Sequence, residues 1–381
     1  MIRTRSKWTA SGAHLRSRMS RTIIFCSLLL LFGVRGQDDP CGASIFDVSF
    51  DDSNPSSNWT FSLGPITEVP NTPGVPTYKW FPDGHIAVLP RCEDDDGSDE
   101  EEDWMMFWSE FENYRSFGKG QFPEDQAALS PSGSVFGGRG DWEGFDNGGS
   151  WLMSVHRVGG EGQLIGFYHA EDHWYPRNPE GIAWKSCGVT YSFDNGVSWT
   201  RGEQIVTSDE QKPDDPDWGG EGDNCAVWDW KNERWAMLFQ HSSLRLAVSR
   251  DPGGGPGTWF KYHEGAFEEP GLGGKSTPLA GLPGGANPSV HWNTHLQKWV
   301  MVYAGWNPAE VLITASEDLV HWEPARAVAG SAVGGKAWYA TIVGEDDKVA
   351  GASARIYYAD IQPDFSSRQF VSRDISFTRY D

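Results

Sequence analysis

The sequence predicts an all-β protein, a five-bladed β-propeller of four-stranded antiparallel blades, and three observations predict it. The first is composition: 45 Gly, 23 Pro and 20 Trp in 381 residues, with no helical periodicity of useful length after residue 36. The second is a recurring unit of two strand-like runs joined by a polar turn. Its clearest instance is residues 219–242, GGEGDNCAVWDWKNERWAMLFQHS, where Asn224 to Trp230 and Trp235 to His241 flank Lys231-Asn232-Glu233-Arg234. The third is spacing, since from Tyr78 onward five such units of about 50 to 65 residues follow one another, within the repeat range of propeller blades.

The chain opens with Arg3, Arg5, Lys7, Arg16, Arg18 and Arg21, then an apolar run from Ile23 to Val34 and small Gly36. This predicts a secretory signal, residues 1–36, cleaved after Gly36. The run is shorter than the roughly 20 residues a spanning helix needs, so a secreted protein with no membrane partner after signal removal is expected, with a retained signal anchor as the alternative. Seven of the 31 Lys and Arg and none of the 53 acids lie in 1–36, leaving 24 cations against 53 acids, a net charge of −29. So acidic a chain is excluded from binding a phosphate backbone, which leaves no nucleic acid partner. Four cysteines remain, Cys41, Cys92, Cys187 and Cys225. One or two disulfides are expected in an oxidising compartment, with the pairing open, and the spacing is wrong for zinc. Asn58-Trp59-Thr60 is a glycan acceptor. The expected state is a monomer.

Residues 37–77 are rich in Asp, Ser, Asn and Pro around two strand-like pieces, Ile45 to Phe50 and Trp59 to Leu63. They form either a tail or a strand that pairs with the C-terminal end and closes the ring. The propeller itself is expected over 78–381. Its first unit, YKWFPDGHIAVL, sets Asp83 at a strand entrance; the acidic run Glu93 to Asp103 is a solvated loop whose spacing fits no EF-hand.

The second unit is cleaner: strands at Ser150 to Val158, Gln163 to His169, Gly188 to Ser192 and Trp199 to Val206, with a long loop Ala170 to Ser186. Its last turn, SFDNGVSW from Ser192 to Trp199, resembles the Asp box of sialidases and other propellers, S-x-D-x-G-x-x-W. Asp194 is placed to bond the turn backbone, Gly196 to supply positive φ, and Trp199 to pack inward. The third unit continues through Leu244 to Arg250 and Thr258 to His263. The fourth runs Asn287 to Asn293, Lys298 to Trp306, Val311 to Ala315 and Trp322 to Val328, and the fifth Ala337 to Val343, Ser353 to Asp360 and Arg368 to Phe377. In the fourth, Ser316 to Trp322 keeps the Ser, Asp and Trp of the box and loses its glycine.

In a blade the innermost strand usually runs away from the face that carries the site. Residues just ahead of each first strand therefore belong to the near rim of the central funnel: Asp83, Asp146, Glu221 and Asn287, one from each of four consecutive units. The loop His169-Ala170-Glu171-Asp172-His173-Trp174-Tyr175 falls on the same face. Carboxylates gathered in a partly desolvated funnel acquire the separated pKa values that acid/base chemistry at sugars needs. The alternative is that such acids cap turns.

Three features carry a family resemblance: Glu221-Gly222 ahead of a strand that returns as the aromatic-rich WAMLFQHS, the phrase TASEDLVHWEP from Thr314 to Pro324, and acids at the starts of the first three units. On these, over about residues 78 to 378, the sequence resembles the five-bladed propeller glycosidases of the arabinanase, levansucrase and invertase superfamily, most nearly family 43 glycoside hydrolases. The resemblance implies inverting hydrolysis of a polysaccharide or oligosaccharide. Asp83 would be the base that activates water, Asp146 the acid that tunes and orients the proton donor, and Glu221 that donor. It requires no cofactor and admits a structural or site cation such as calcium. The first two acids precede Gly84 and Asn147 where the family typically has proline, so Asp141 and Glu143 stand as alternatives to Asp146, and Asp223 competes with Glu221.

His169, Glu171, Asp172 and His173 have no counterpart in the family pattern. They suit substrate hydroxyls, a cation, or a His acid. Trp174, Tyr175 and Trp218 are candidates to stack on sugar faces, and Asp223 and Asn287 to bind hydroxyls. The competing class is a carbohydrate-binding propeller without turnover. A sialidase ranks lower, since no arginine triad can be placed.

Overall fold

The computed structural model describes residues 44–75, 81–91, 104–137, 144–160, 162–177, 181–306 and 310–380. The signal-like stretch 1–36, Cys41, Cys92, the acidic run 93–103, Asp141 and Glu143 fall outside them. The described chain is all-β and forms five sheets, the blades of a β-propeller.

Strands β1 (Asn58–Leu63) and β2 (Thr67–Glu68) come first. Blade I is β3 (Ala87–Pro90), β4 (Trp104–Ser109), β5 (Asn113–Gly118) and β6 (Gln126–Phe136). Blade II is β7 (Gly149–Arg157), β8 (Leu164–Asp172), β9 (Trp184–Ser192) and β10 (Glu203–Val206), with the short β11 (Gly219–Gly220) parallel to β9. Blade III is β12 (Gly222–Asp229), β13 (Arg234–His241), β14 (Ser243–Ser249), β15 (Trp259–His263) and β16 (Ala266–Pro270). Blade IV is β17 (Gly285–Asn293), β18 (Lys298–Gly305), β19 (Val311–Ser316) and β20 (Arg326–Ala329). Blade V starts with β21 (Lys336–Val343); β22 (Val349–Ala350) pairs in parallel with β17, and β23 (Ser353–Ile361) and β24 (Arg368–Tyr380) follow.

The outermost strand of blade V is β1, antiparallel to β24 from Asn58↔Tyr380 to Leu63↔Ile375. The two ends of the described chain thus share one sheet, which closes the ring between blade V and the N-terminal segment. Blade III has a fifth strand where four were expected. Glu264 and Gly265, both at positive φ (48° and 95°), join β15 to β16 through the two-residue turn that suits strand twist.

The core lies in five wedges, one between each pair of neighbouring blades. Every residue of the inner strands β12 and β17 is buried, the polar Asn224, Asp229, Ser289, His291 and Asn293 included. Across the far face, Phe46 meets the edge of Trp228 at 4.6 Å and Phe50 stacks on Trp292 at 6.0 Å.

Both box-like turns form as expected. In blade II, Ser192 Oγ accepts from the Asp194 and Gly196 amides, Asp194 Oδ1 accepts from the Ser198 amide, and Gly196 has φ 81°. In blade IV, Asp318 Oδ1 accepts from the Val320 and His321 amides, and Leu319, at φ 67°, takes the place of the glycine.

Cys187 in β9 and Cys225 in β12 are buried free thiols on different blades; the other two cysteines, Cys41 and Cys92, fall outside the described residues, and a single disulfide between them stays an expectation. Burial pushes the Cys225 thiol up to about 12 and also raises Cys187; both act as small core residues rather than reactive thiols.

Candidate active site

Four blades insert one extra residue near the start of their inner strand. The ladder register slips between Leu152 and Ser154, Gly222 and Cys225, Ala286 and Ser289, and Trp338 and Thr341. In blades III, IV and V the bulge contains a non-glycine residue in the left-handed region: Asp223 (φ 46°), Asn287 (φ 50°) and Tyr339 (φ 55°). A bulge re-aims side chains and stores local strain. Here Asp223, Asn287 and Tyr339 all line one cavity at the near mouth of the channel, of about 180 Å³. Blade II has Met153 at that position, so its polar contribution comes instead from the end of β8, where His169 and Glu171 line the cavity. Blade I supplies Asp83, whose amide donates to Ser109 O at 2.9 Å.

Asp83 is paired with Arg368 Nη1 at 2.5 Å, and the same guanidinium nitrogen donates to Pro82 O at 2.8 Å. Burial raises the Asp83 carboxyl above the ordinary range, Arg368 offsets part of this, and the charge of Glu171 pushes it further up. Asp223 shifts the opposite way. Burial pushes it up too, but the charge and hydrogen bond of Lys185, 3.3 Å from Oδ2, hold it low. Asn287 Nδ2 donates to Asp223 Oδ1 at 3.1 Å. Beneath them, His85 Nε2 lies 3.2 Å from Asn287 O, and burial drops its ring to about 4, so at neutral pH the ring is uncharged and Nε2 donates.

Glu171 is held between two imidazoles, His169 Nε2 at 3.4 Å and His173 Nε2 at 2.9 Å. Burial works against its charge, yet those two hydrogen bonds bring it down to about 2. At the mouth, Trp218 is 56% exposed and Trp306 is 43% exposed. With Trp151 and Trp338 they give the cavity aromatic walls.

The structure does not bring the expected trio together. Asp83 lines the cavity, and Asp146 and Glu221 do not. Asp146 sits in the turn before β7, where Tyr168 Oη donates to its Oδ2 at 3.4 Å. Glu221 is 1% exposed; its Oε2 is 2.6 Å from Lys261 Nζ, itself fully buried in β15, and its Oε1 accepts from Ser276 Oγ at 3.1 Å. Lys261 Nζ donates as well to Thr207 O at 2.5 Å and Gly274 O at 2.7 Å.

Asp172 and Trp174 are also outside the cavity lining. Asp172 accepts from Asn147 Nδ2 at 2.7 Å and pairs with Lys212 at 2.7 Å, holding its loop. Trp174 is buried, with its indole N–H on Pro213 O at 2.7 Å. His173 is buried behind Glu171, its amide donating to Asn147 Oδ1 at 2.7 Å. Of the sequence candidates, Asp83, His169, Glu171, Asp223, Asn287 and Trp218 converge.

Sequence reasoning missed Lys185, Arg368, Tyr339, Trp151, Trp306 and Trp338. For Tyr339 a signal existed: Asp223-Asn224, Asn287-Pro288 and Tyr339-Ala340 each stand just ahead of an apolar inner strand, so aligning the units places it beside the other two. Among the described residues no group of three or more His, Cys, Asp or Glu is placed to hold a metal. The cavity carboxylates are each committed to a cation or to imidazoles, which does not fit the oxygen-rich cage calcium requires.

No protein-family model matches the chain, and no curated protein matches it. Among solved structures it is similar to a family 117 glycoside hydrolase produced by the marine bacterium Zobellia galactanivorans, at 11% identity and TM-score 0.49, over 85% of this chain and 92% of that one. It is also similar to the RS223 β-xylosidase, at 10% identity and TM-score 0.44 over 80% and 95% of the two chains. A fructofuranosidase from Schwanniomyces occidentalis shows 13% identity and TM-score 0.43 over 71% and 53%. Likeness at this level carries no chemistry across, which must come from the site itself.

Proposed function

We propose that the protein is a secreted glycoside hydrolase in which Asp83 and Asp223 form the acid/base pair acting on a sugar bound in the near-mouth cavity. The observation that carries this reading is the opposed electrostatics of these two carboxyls in one aromatic-walled cavity: burial lifts Asp83, and Lys185 holds Asp223 down. Paired titratable groups driven apart in this way are what general acid/base catalysis uses.

Asp83 is assigned the donor that protonates the leaving oxygen and Asp223 the base that takes a proton from water, the reverse of the part the family resemblance implies for Asp83. His169 does not serve as the acid, because both ring nitrogens are engaged, Nδ1 by the Asp223 amide and Nε2 by Glu171. The two aspartates come from non-adjacent blades, which suits the separation of about 6.5 to 9.5 Å that leaves room for a water in inverting hydrolysis. Lys185 and Arg368 keep their partners oriented, Asn287 presents an amide, and Trp218 and Trp306 offer exposed rings to a sugar face. In this reading the chain acts as a monomer on an external glycan.

The test is a panel of polysaccharides and aryl glycosides assayed with wild type, Asp83→Asn and Asp223→Asn. Each substitution is expected to reduce turnover by about 10²- to 10⁴-fold. Asp83→Asn should be least impaired on aryl glycosides with good leaving groups, and Asp223→Asn should be rescued by azide. The opposite pattern of rescue reverses the two roles, and sugar binding by wild type without turnover replaces the hydrolase with a binding protein.

A further inference from the structure

The cluster at the end of β8 has no part in the proton transfers above, yet its geometry points at Asp223. His169 Nδ1 lies 3.0 Å from the Asp223 amide, which donates to it. That nitrogen must therefore carry a lone pair, and the ring proton sits on Nε2, facing Glu171 Oε1 at 3.4 Å. The second oxygen of Glu171 is taken by His173 Nε2 at 2.9 Å, so the carboxylate is fixed from both sides and fixes the His169 tautomer in turn. The Trp151 ring packs 5.5 Å from the imidazole. Lys185 on β9 closes the other flank, through its ion pair with Asp223.

The neighbouring residue is shaped to the same contact. A Cβ on Gly222 would fall 2.4 Å from His169 Nδ1, 2.7 Å from Cε1 and 2.9 Å from the Lys185 Cβ. Only glycine lets the strand come this close to the ring. The amide so held belongs to a residue at φ 46°, inside a register slip where its own ladder partner is lost. Without the imidazole this buried N–H would have no acceptor of its own, and a left-handed aspartate is a conformation the chain does not keep unsupported.

We propose that His169 is a positioning residue for Asp223: its bare Nδ1 holds the Asp223 amide, and with it the left-handed turn that aims the carboxylate into the cavity. The inference rests on Asp223 as the base only for its effect on turnover. Glu171 and His173 act one step behind, by keeping the proton on the far side of the ring. The unit His169-Ala170-Glu171-Asp172-His173 is thus a brace for the blade III bulge.

The experiment compares wild type, His169→Gln, His169→Phe and Gly222→Ala by amide hydrogen exchange at Asp223, resolved by NMR in the folded protein. Glutamine keeps an acceptor and a donor; phenylalanine keeps the bulk and neither. Exchange at Asp223 is expected to stay slow in wild type and His169→Gln and to rise at least about tenfold in His169→Phe, as a buried hydrogen bond is lost. Gly222→Ala, which pushes the ring away, is expected to do the same and serves if His169→Phe does not fold.

On any substrate that is turned over, His169→Phe should lower kcat about 10²-fold, the scale of a misplaced catalytic group, with KM little changed and recovery in His169→Gln. An Asp223 amide as slow in both His169→Phe and Gly222→Ala as in wild type overturns the proposal. Because exchange needs no turnover, fast exchange in a protein without glycosidase activity sinks the hydrolase reading and leaves the brace standing.

Discussion

Glu221 and Asp223 are two residues apart and end in different regions of the molecule. The side chain of Glu221 goes into the seam beside β15, where a fully buried lysine meets it, and that of Asp223 goes into the funnel. In a regular strand residues i and i+2 share a face. That rule does not hold here, because Glu221 lies in the bend ahead of β12 and Asp223 in the register slip between Gly222 and Cys225, at positive φ. What separates a packing carboxylate from a candidate catalytic one is therefore one inserted residue in the backbone, not the identity of the acid. The same slip recurs at Asn287 and Tyr339, so three of the polar residues that line the funnel stand in bulges of the inner strands.

The comparison is most open to being broken at Glu221. Glu221→Gln leaves the Lys261 ammonium buried without its countercharge, and removing one partner of such a pair costs about 3–5 kcal/mol. Chemical denaturation should show that loss, while activity per folded molecule stays at the wild-type level. Unchanged stability with lost turnover would return Glu221 to the site.

A smaller effect isolates the backbone at Asp223. Asp223→Gly and Asp223→Ala both remove the carboxylate, but only alanine keeps a Cβ in the left-handed region. The glycine variant is expected to be the more stable of the two by about 1–2 kcal/mol, read from urea midpoints. Equal midpoints would mean that the turn is not strained.

The smallest effect extends the contrast to the box turns. In Asp194, burial works upward but the Ser198 and Ser192 hydrogen bonds win and hold the carboxyl low. A folded pKa below the unfolded one contributes stability that is present above the ordinary value of about 3.9 and lost as pH falls through the folded one. The side chain is exposed, so its worth is under about 1 kcal/mol. Melting curves from neutral to acid pH should show Asp194→Asn below wild type near neutrality, with the gap closing on acidification. Asp83 has the opposite sign: its carboxyl is raised, so its burial opposes folding near neutrality and that opposition is relieved in acid. A gap for Asp194→Asn that widens as pH falls would contradict the assignment of that turn.

Much of the fold was legible because its signals are local. Polar turns between strand-like runs, the Ser-x-Asp turn ending in Trp, and the spacing of the units all follow from what a few consecutive residues can do. The rim position of Asp83 and Asn287 came from strand direction alone. Lys185 and Arg368 were not legible: each pairs with an acid on another blade, 38 and 285 residues away in the chain, and a lysine or arginine in a strand has no local mark of its partner. That Cys187 and Cys225 do not pair was illegible for a related reason. Cysteine number and a signal-like leader speak of compartment, and whether Cys187 and Cys225 meet depends on which blade faces which.

By itself, then, the sequence determined the repeat, the strand-and-turn order, the acidic balance, and the face on which polar strand entrances gather. Only the tertiary structure decided that Asp223 rather than Glu221 faces the funnel, and that His169 and Glu171 brace it. The physical reason is that a bulge is a relation between two strands. It exists where one strand has a residue more than its partner between the same two ladder contacts, and no residue carries that count alone.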